Sequence, residues 1–165
     1  MPNVYLGLGS NTRPDHHLPL GIAELARRFT LVAVSRVYRN AALGFDGPEF
    51  LNAVACIETE LPIAKVTAQL NDIHDVAGRR RGDSAFESRT LDIDLLLYGD
   101  AVIPECRIPR ADVLDYSFVL RPLAEIAPDL RHPVTGKSMA EHWSEFDQAL
   151  HPLQEDRLIL LNGGK

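Results

Sequence analysis

The stretch Arg89-Thr90-Leu91-Asp92-Ile93-Asp94-Leu95-Leu96-Leu97-Tyr98 organises the rest of the chain. Its right half is apolar and is bounded by Gly99 and Asp100, with Pro104 soon after, which is the pattern of a buried strand. Two carboxylates, Asp92 and Asp94, sit inside it. Side chains at i and i+2 of a strand leave the same face about 6.5–7 Å apart. Two anions on one rigid element, with no Lys or Arg between them, repel each other unless a cation joins them. Mg²⁺ is commonly held by one or two carboxylates together with substrate phosphates. Arg79-Arg80-Arg81 and then Arg89 lie just upstream, and guanidiniums beside a carboxylate pair suit a metal-bound polyphosphate. An Asp-x-Asp pair also suits a solvated edge strand with Arg89 as its salt-bridge partner. Leu91, Ile93, Leu95, Leu96 and Leu97 weigh against full solvation and put the metal reading ahead.

Outward from this strand, the 165 residues suit one domain, 1–165, with about 158–165 as a tail or an added strand. The net charge of −6 offers no global field for nucleic acid. The arginines are concentrated locally instead, which fits a small polyanionic ligand. Two cysteines, Cys56 and Cys106, and six scattered histidines give neither a disulfide framework nor a zinc spacing. With no signal peptide and no apolar run of membrane-spanning length, a reducing cytoplasm is the expected setting and no membrane partner is expected.

Before the central strand, Val4 to Gly9 forms a first strand. Gly7 and Gly9 do not complete a dinucleotide fingerprint, because position 12 is Thr; they suit close approach of a neighbouring segment or a ligand. A helix follows from about Pro14 or Leu18 to Phe29, then a strand over Leu31 to Tyr38 and a loop over Asn40 to Pro48. Phe50 to Glu58 is the next strand. Asn52 within it is either a solvated residue at a strand start or a buried amide with donor and acceptor to offer. Pro62 opens a helix that Gly78 ends. After the central strand come a possible short strand at Ala101-Val102-Ile103, a loop or single turn over Pro109 to Asp115, and a helix over Phe118 to Ile126. Ser138 and Glu141 make a capping box for a last helix. The order of elements gives an α+β fold.

Arg-Thr-Leu-Asp-Ile-Asp-Leu-Leu-Leu-Tyr-Gly at 89–99 resembles the signature of the 6-hydroxymethyl-7,8-dihydropterin pyrophosphokinase family. So do Leu8-Gly9-Ser10-Asn11, Tyr38-Arg39 through Leu43-Gly44, Phe50-Leu51-Asn52-Ala53, and Phe118 through Pro128, in the same order. The resemblance implies a ferredoxin-like antiparallel sheet packed with helices and followed by a C-terminal helical extension. It implies transfer of pyrophosphate from ATP to the hydroxymethyl group of a reduced pterin, in folate biosynthesis. Asp92 and Asp94 would hold two Mg²⁺ ions. Arg79, Arg81 and Arg89 would meet the triphosphate, joined by Arg110, and Asn71 and His74 would lie on the nucleotide side. Asn40, Leu43, Phe50, Asn52, Phe86 and Phe118 would hold the pterin, with the two Phe rings as its sandwich; ordinary core is the other reading of each Phe. The partners are small molecules, with a monomer favoured.

The chain departs from the family pattern around the substrates. Glu87-Ser88 replaces Gly-Pro, Ala85 replaces Arg, and Phe86 stands for Trp. Arg110 replaces His, Tyr116 replaces Arg, His74 replaces Glu, and Asn40-Ala41-Ala42 replaces Thr-x-Pro. A divergent enzyme acting on a related pterin therefore stands beside the family's own activity. The other readings are a pterin- or nucleotide-binding module without catalysis and, last, a ferredoxin-like interaction protein. The intact carboxylate pair favours an enzyme.

Overall fold

The computed structural model describes residues 1–41, 48–78, 90–150 and 152–160. Within these, β1 (Asn3–Ser10), α1 (Pro14–Arg28), β2 (Thr30–Val34), β3 (Tyr38–Asn40), β4 (Phe50–Glu58), α2 (Ile63–Val76) and β5 (Asp92–Tyr98) follow in order. Then come α3 (Asp112–Asp115), α4 (Ser117–Ile126), α5 (Met139–Glu145) and β6 (Gln154–Glu155). The sheet is antiparallel in the order β5-β1-β4-β3-β6, with β2 also paired to β4. This is the ferredoxin-like arrangement that the resemblance implies, within the α+β class expected from the element order.

Alternation along the strands divides the core into two layers. Val4, Leu6 and Leu8 of β1 and Ile93 of β5 pack with Leu18, Ile22 and Leu25 of α1 and Val66, Leu70 and Ile73 of α2. Tyr5, Val54, Cys56, Leu96 and Leu97 pack on the other side with Val113, Leu120, Leu123 and Met139. α1 and α2 thus cover one face, and the C-terminal helices cover the other. The run Leu95-Leu96-Leu97 breaks strict alternation, and the register accommodates it. Leu6 faces Leu95 while Tyr5 faces Leu97, leaving Leu96 as the extra residue of a bulge. Both Leu96 and Leu97 therefore join the α4 side.

Three expectations change. The strand over Leu31 to Tyr38 is two strands, because Ser35 interrupts it. Its Oγ accepts the Val54 N–H at 2.9 Å while its own N–H donates to Val54 O. At Ala101-Val102-Ile103 there is no strand; Ile103 and Ile108 form an isolated bridge closing a 3₁₀ turn over Pro104–Cys106. The C-terminal added strand lies at Gln154–Glu155, before the apolar run, and Leu158 and Leu160 pack as a tail on the α1/α2 core. The capping box is present at Ser138 and Glu141.

Candidate active site

β1 is the middle of the site because it is paired on both edges. Gly9 faces Asp92 of β5 on one side and Asn52 of β4 on the other, and Asn52 in turn faces Tyr38 of β3. One row across the sheet therefore reads Asp92, Gly9, Asn52, Tyr38. The next row reads Asp94, Gly7, Val54. Directly paired residues share a face, so both carboxylates and the Asn52 amide rise from the side that carries α3, α4 and α5. The glycines leave the middle of the rows without side chains. A Cβ at Gly9 would stand 3.1 Å from Asn52 Oδ1, so the amide leans over the bare backbone of β1.

Asn52 is buried, and its Nδ2 donates to Oδ1 of the buried Asn40. Asn40 Nδ2 donates to Ala41 O at 2.9 Å. The two amides orient one another, a pairing that comes from β3 meeting β4. Phe118, at the start of α4, stacks on Tyr116 with ring centroids 4.9 Å apart and 18° between planes. Both rings are partly buried on the layer that contains Val54 and Leu120. Phe50 opens β4 and is half-buried.

Asp92 and Asp94 are half-buried. Between them, Ile93 turns its side chain to the opposite core and its N–H to the outer edge of the sheet. There His74 Nε2 accepts it at 2.8 Å. His74 is 6% exposed, in the last turn of α2. An edge strand needs its outward N–H satisfied when it is buried, and His74 supplies the acceptor. The histidine expected on the nucleotide side thus serves the strand that carries the carboxylates. Asn71, one turn earlier, is exposed on α2.

Among the described residues, Arg110 is a cation that the fold brings to the carboxylates. Its backbone N–H donates to Leu96 O at 2.9 Å, which anchors it beside β5. Nη2 lies 3.9 Å from Asp94 Oδ1, and Nε lies 3.2 Å from Asp112 Oδ2. Burial opposes the charge on the guanidinium, and Asp94, Asp112 and Asp92 together outweigh it, holding its pKa above the ordinary arginine value. Arg110 also borders a cavity of about 570 Å³. The apolar walls of that cavity include Val102, Pro104, Ile108 and Leu114, and Arg107, Asp112 and His132 supply its polar edge. Leu43, Arg79, Arg81, Phe86 and Arg89 lie outside the described residues.

Three residues of this region carry no motif. Arg107 sits at φ 57°, in the left-handed region, at the end of the 3₁₀ turn. Asp112 is the second carboxylate at Arg110. His132 Nδ1 accepts the N–H groups of Val134 and Thr135 at 3.2 and 3.3 Å. The only hint in the sequence is that Arg107 and Arg110 flank Ile-Pro shortly after the carboxylate strand.

The domain is an antiparallel α+β fold with two carboxylates and an amide pair on one sheet face and an arginine brought beside the carboxylates from the segment before α3, a polar site suited to a small anionic ligand. Residues 5–128 match the model of the 7,8-dihydro-6-hydroxymethylpterin-pyrophosphokinase (HPPK) family, and the chain belongs to that family. It is 39% identical over 136 residues to the 2-amino-4-hydroxy-6-hydroxymethyldihydropteridine pyrophosphokinase of Pseudomonas aeruginosa, covering 79% of this chain and 83% of that one. To the protein of the same name from Haemophilus influenzae it is 40% identical over 140 residues, covering 81% and 86%. Among solved structures it resembles wild-type Plasmodium falciparum HPPK-DHPS with a TM-score of 0.68 at 12% identity, over 87% of this chain and 44% of that chain. This chain thus spans less than half of that structure's chain, and at such identity the likeness speaks for the fold.

Proposed function

We propose that the protein transfers the pyrophosphoryl group of ATP to the hydroxymethyl oxygen of 6-hydroxymethyl-7,8-dihydropterin, releasing AMP, in folate biosynthesis. Family membership supports the reaction. The observation that carries it to these residues is the row Asp92, Gly9, Asn52, which sets an amide and the carboxylates on one face with a bare strand between them. A flat ring held at Asn52 would present its substituent towards the carboxylates.

The hydroxyl oxygen attacks the β-phosphorus, the bond from that phosphorus to the α,β-bridging oxygen breaks, and the hydroxyl proton passes to solvent. Such transfer depends on positioning and on neutralising charge. Asp92 and Asp94 fit divalent cations: they are hard oxygen donors, half-exposed, on one rigid strand opposite glycines. Asp92 and Asp94 would hold two Mg²⁺ ions, which when bound would supply neutralisation of the phosphate charge. Arg110 adds a fixed positive charge, and the cavity beside it suits the nucleotide's base and ribose. Asn52, oriented by Asn40, would grip the ring edge, and Phe118, held by Tyr116, would meet its face, with Phe50 at the rim. Arg79, Arg81 and Arg89 remain the expected phosphate contacts, Phe86 and Leu43 pterin contacts, and Asn71 a nucleotide-side contact, on the sequence pattern. His74 acts as a positioning residue for β5.

Among the described residues no helix is long and apolar enough to cross a membrane. We place the protein in the cytoplasm as a monomer with small-molecule partners rather than nucleic acid, in keeping with its net charge of −6. Incubation with ATP, Mg²⁺ and 6-hydroxymethyl-7,8-dihydropterin should yield AMP and the pterin diphosphate in equal amounts. Pterin binding without AMP formation would support the non-catalytic module instead.

A further inference from the structure

We propose that Arg110 couples metal binding to nucleotide binding: its guanidinium serves as a counter-ion of Asp94 in the ligand-free protein, and moves to the polyphosphate when a divalent cation takes that carboxylate. This rests on Asp92 and Asp94 being the metal ligands. The geometry is that of a loosely held cation. Nη2 is 3.9 Å from Asp94 Oδ1, too long for a hydrogen bond, so the attraction is Coulombic and is lost without breaking a directed contact. Nε rests 3.2 Å from Asp112 Oδ2, so Asp94 shares the guanidinium with a second carboxylate. The backbone tie from Arg110 N to Leu96 O fixes where the side chain begins, and the side chain reaches both carboxylates from there. The tip also borders the cavity beside the carboxylates.

A fixed cation this close to Asp94 opposes entry of a second cation. Arginine does not relieve that conflict by losing its proton near neutral pH. A triphosphate beside the cavity, with the base and ribose within it, does relieve it, by offering the guanidinium a bidentate, more highly charged anion than Asp94. Metal and nucleotide then favour one another, and linkage requires the same factor in both directions. The metal-free protein is thereby kept from filling its carboxylates with stray divalent ions, and the site assembles when nucleotide and metal arrive together.

Mn²⁺ serves as the probe, with free ion followed by electron paramagnetic resonance, with and without α,β-methylene ATP. The parent should bind Mn²⁺ weakly alone and about tenfold or more tightly with the nucleotide. Arg110→Gln and Arg110→Met keep the backbone N–H that meets Leu96 O. Either should bind Mn²⁺ alone about tenfold more tightly than the parent, with a smaller gain from the nucleotide. Arg110→Lys keeps the charge and should stay near the parent. Unchanged or weaker Mn²⁺ affinity in the neutral variants overturns the coupling. Asp92→Asn and Asp94→Asn separate the two levels. If they lose Mn²⁺ while the Arg110 variants behave as the parent, only the coupling fails. If they bind Mn²⁺ as the parent does, the metal reading fails and the coupling with it.

Discussion

Asp92 and Asn52 stand in one row of the sheet, two strands apart, and the residue between them is Gly9. Adjacent strands are about 4.7–4.9 Å apart, so the carboxylate and amide backbones are separated by roughly 9–10 Å, with nothing but peptide between. That gap matches the distance from the edge of a two-ring heterocycle to a substituent on its far side, and it makes the glycine as much a part of the site as the polar residues.

The first prediction concerns Gly9 itself. Gly9→Ala introduces a Cβ that must displace Asn52 Oδ1 from 3.1 Å. The pterin KM should rise about tenfold or more while the ATP KM stays near the parent value, at a stability cost of about 1–3 kcal/mol from overpacking. Steady-state kinetics with each substrate varied separately shows the split, and an equal rise in both KM values would contradict the placement.

Asp92→Asn and Asp94→Asn should each lower kcat by about a thousandfold, since metal-assisted charge neutralisation is worth several kcal/mol. Both carboxylates are half-exposed, so the thermal midpoint should barely move. Activity retained at the parent level in either variant would remove that residue from the metal site.

His74→Ala should leave the Ile93 N–H buried without its acceptor, costing about 1–3 kcal/mol of stability. The damage lies at the strand that carries Asp92 and Asp94, so activity should fall as well, with faster amide exchange at Ile93. If hydrogen exchange at Ile93 is as slow as in the parent, the histidine does not anchor the strand.

Burial, reinforced by His142, pushes the His132 imidazole below its ordinary 6.5. The neutral ring is also the form whose Nδ1 accepts two backbone N–H groups. A depressed folded-state value means that the unfolded chain takes up the proton first. His132 therefore contributes stability above pH 6.5, and that contribution is lost as pH falls from there towards the folded-state value. His132→Asn, which can still offer an acceptor, should flatten the fall of the thermal midpoint between about pH 6.5 and pH 5. An identical acid slope in the variant would assign that slope to other groups.

Much of this was legible in the sequence because it is local. The helices over Pro14–Arg28 and Ile63–Val76 and the cap at Ser138 follow from periodicity and terminal residues. The carboxylates were visible because i, i+2 spacing on a strand has one geometric meaning. Asn52 gained its meaning only through pairing: its partner Asn40 is twelve residues away and the glycine beneath it belongs to a third strand. The contact of His74 was hidden for the same reason, since a helical histidine carries no sign that it faces the outward N–H of a later strand. Ser35 breaks a run rich in valine because its hydroxyl accepts a backbone N–H of the neighbouring strand. Arg110 pairs with Asp94 only because the chain returns beside β5 after the 3₁₀ turn.

The short β6 has a consequence for the colloidal behaviour of the protein. Glu155 and Gln154 pair with Tyr38 and Arg39, Asp156 N–H donates to Val37 O, and Arg36 binds Glu155 at 3.0 Å. Without this segment, β3 would present unpaired peptide groups to solvent, a template on which the exposed strand of another molecule could add. The chain's own late residues occupy that template, and the Arg36–Glu155 ion pair that helps hold them is exposed and weakens with salt. Shortening the chain before Gln154 should therefore lower its resistance to aggregation more than its melting temperature, and most of all at high ionic strength.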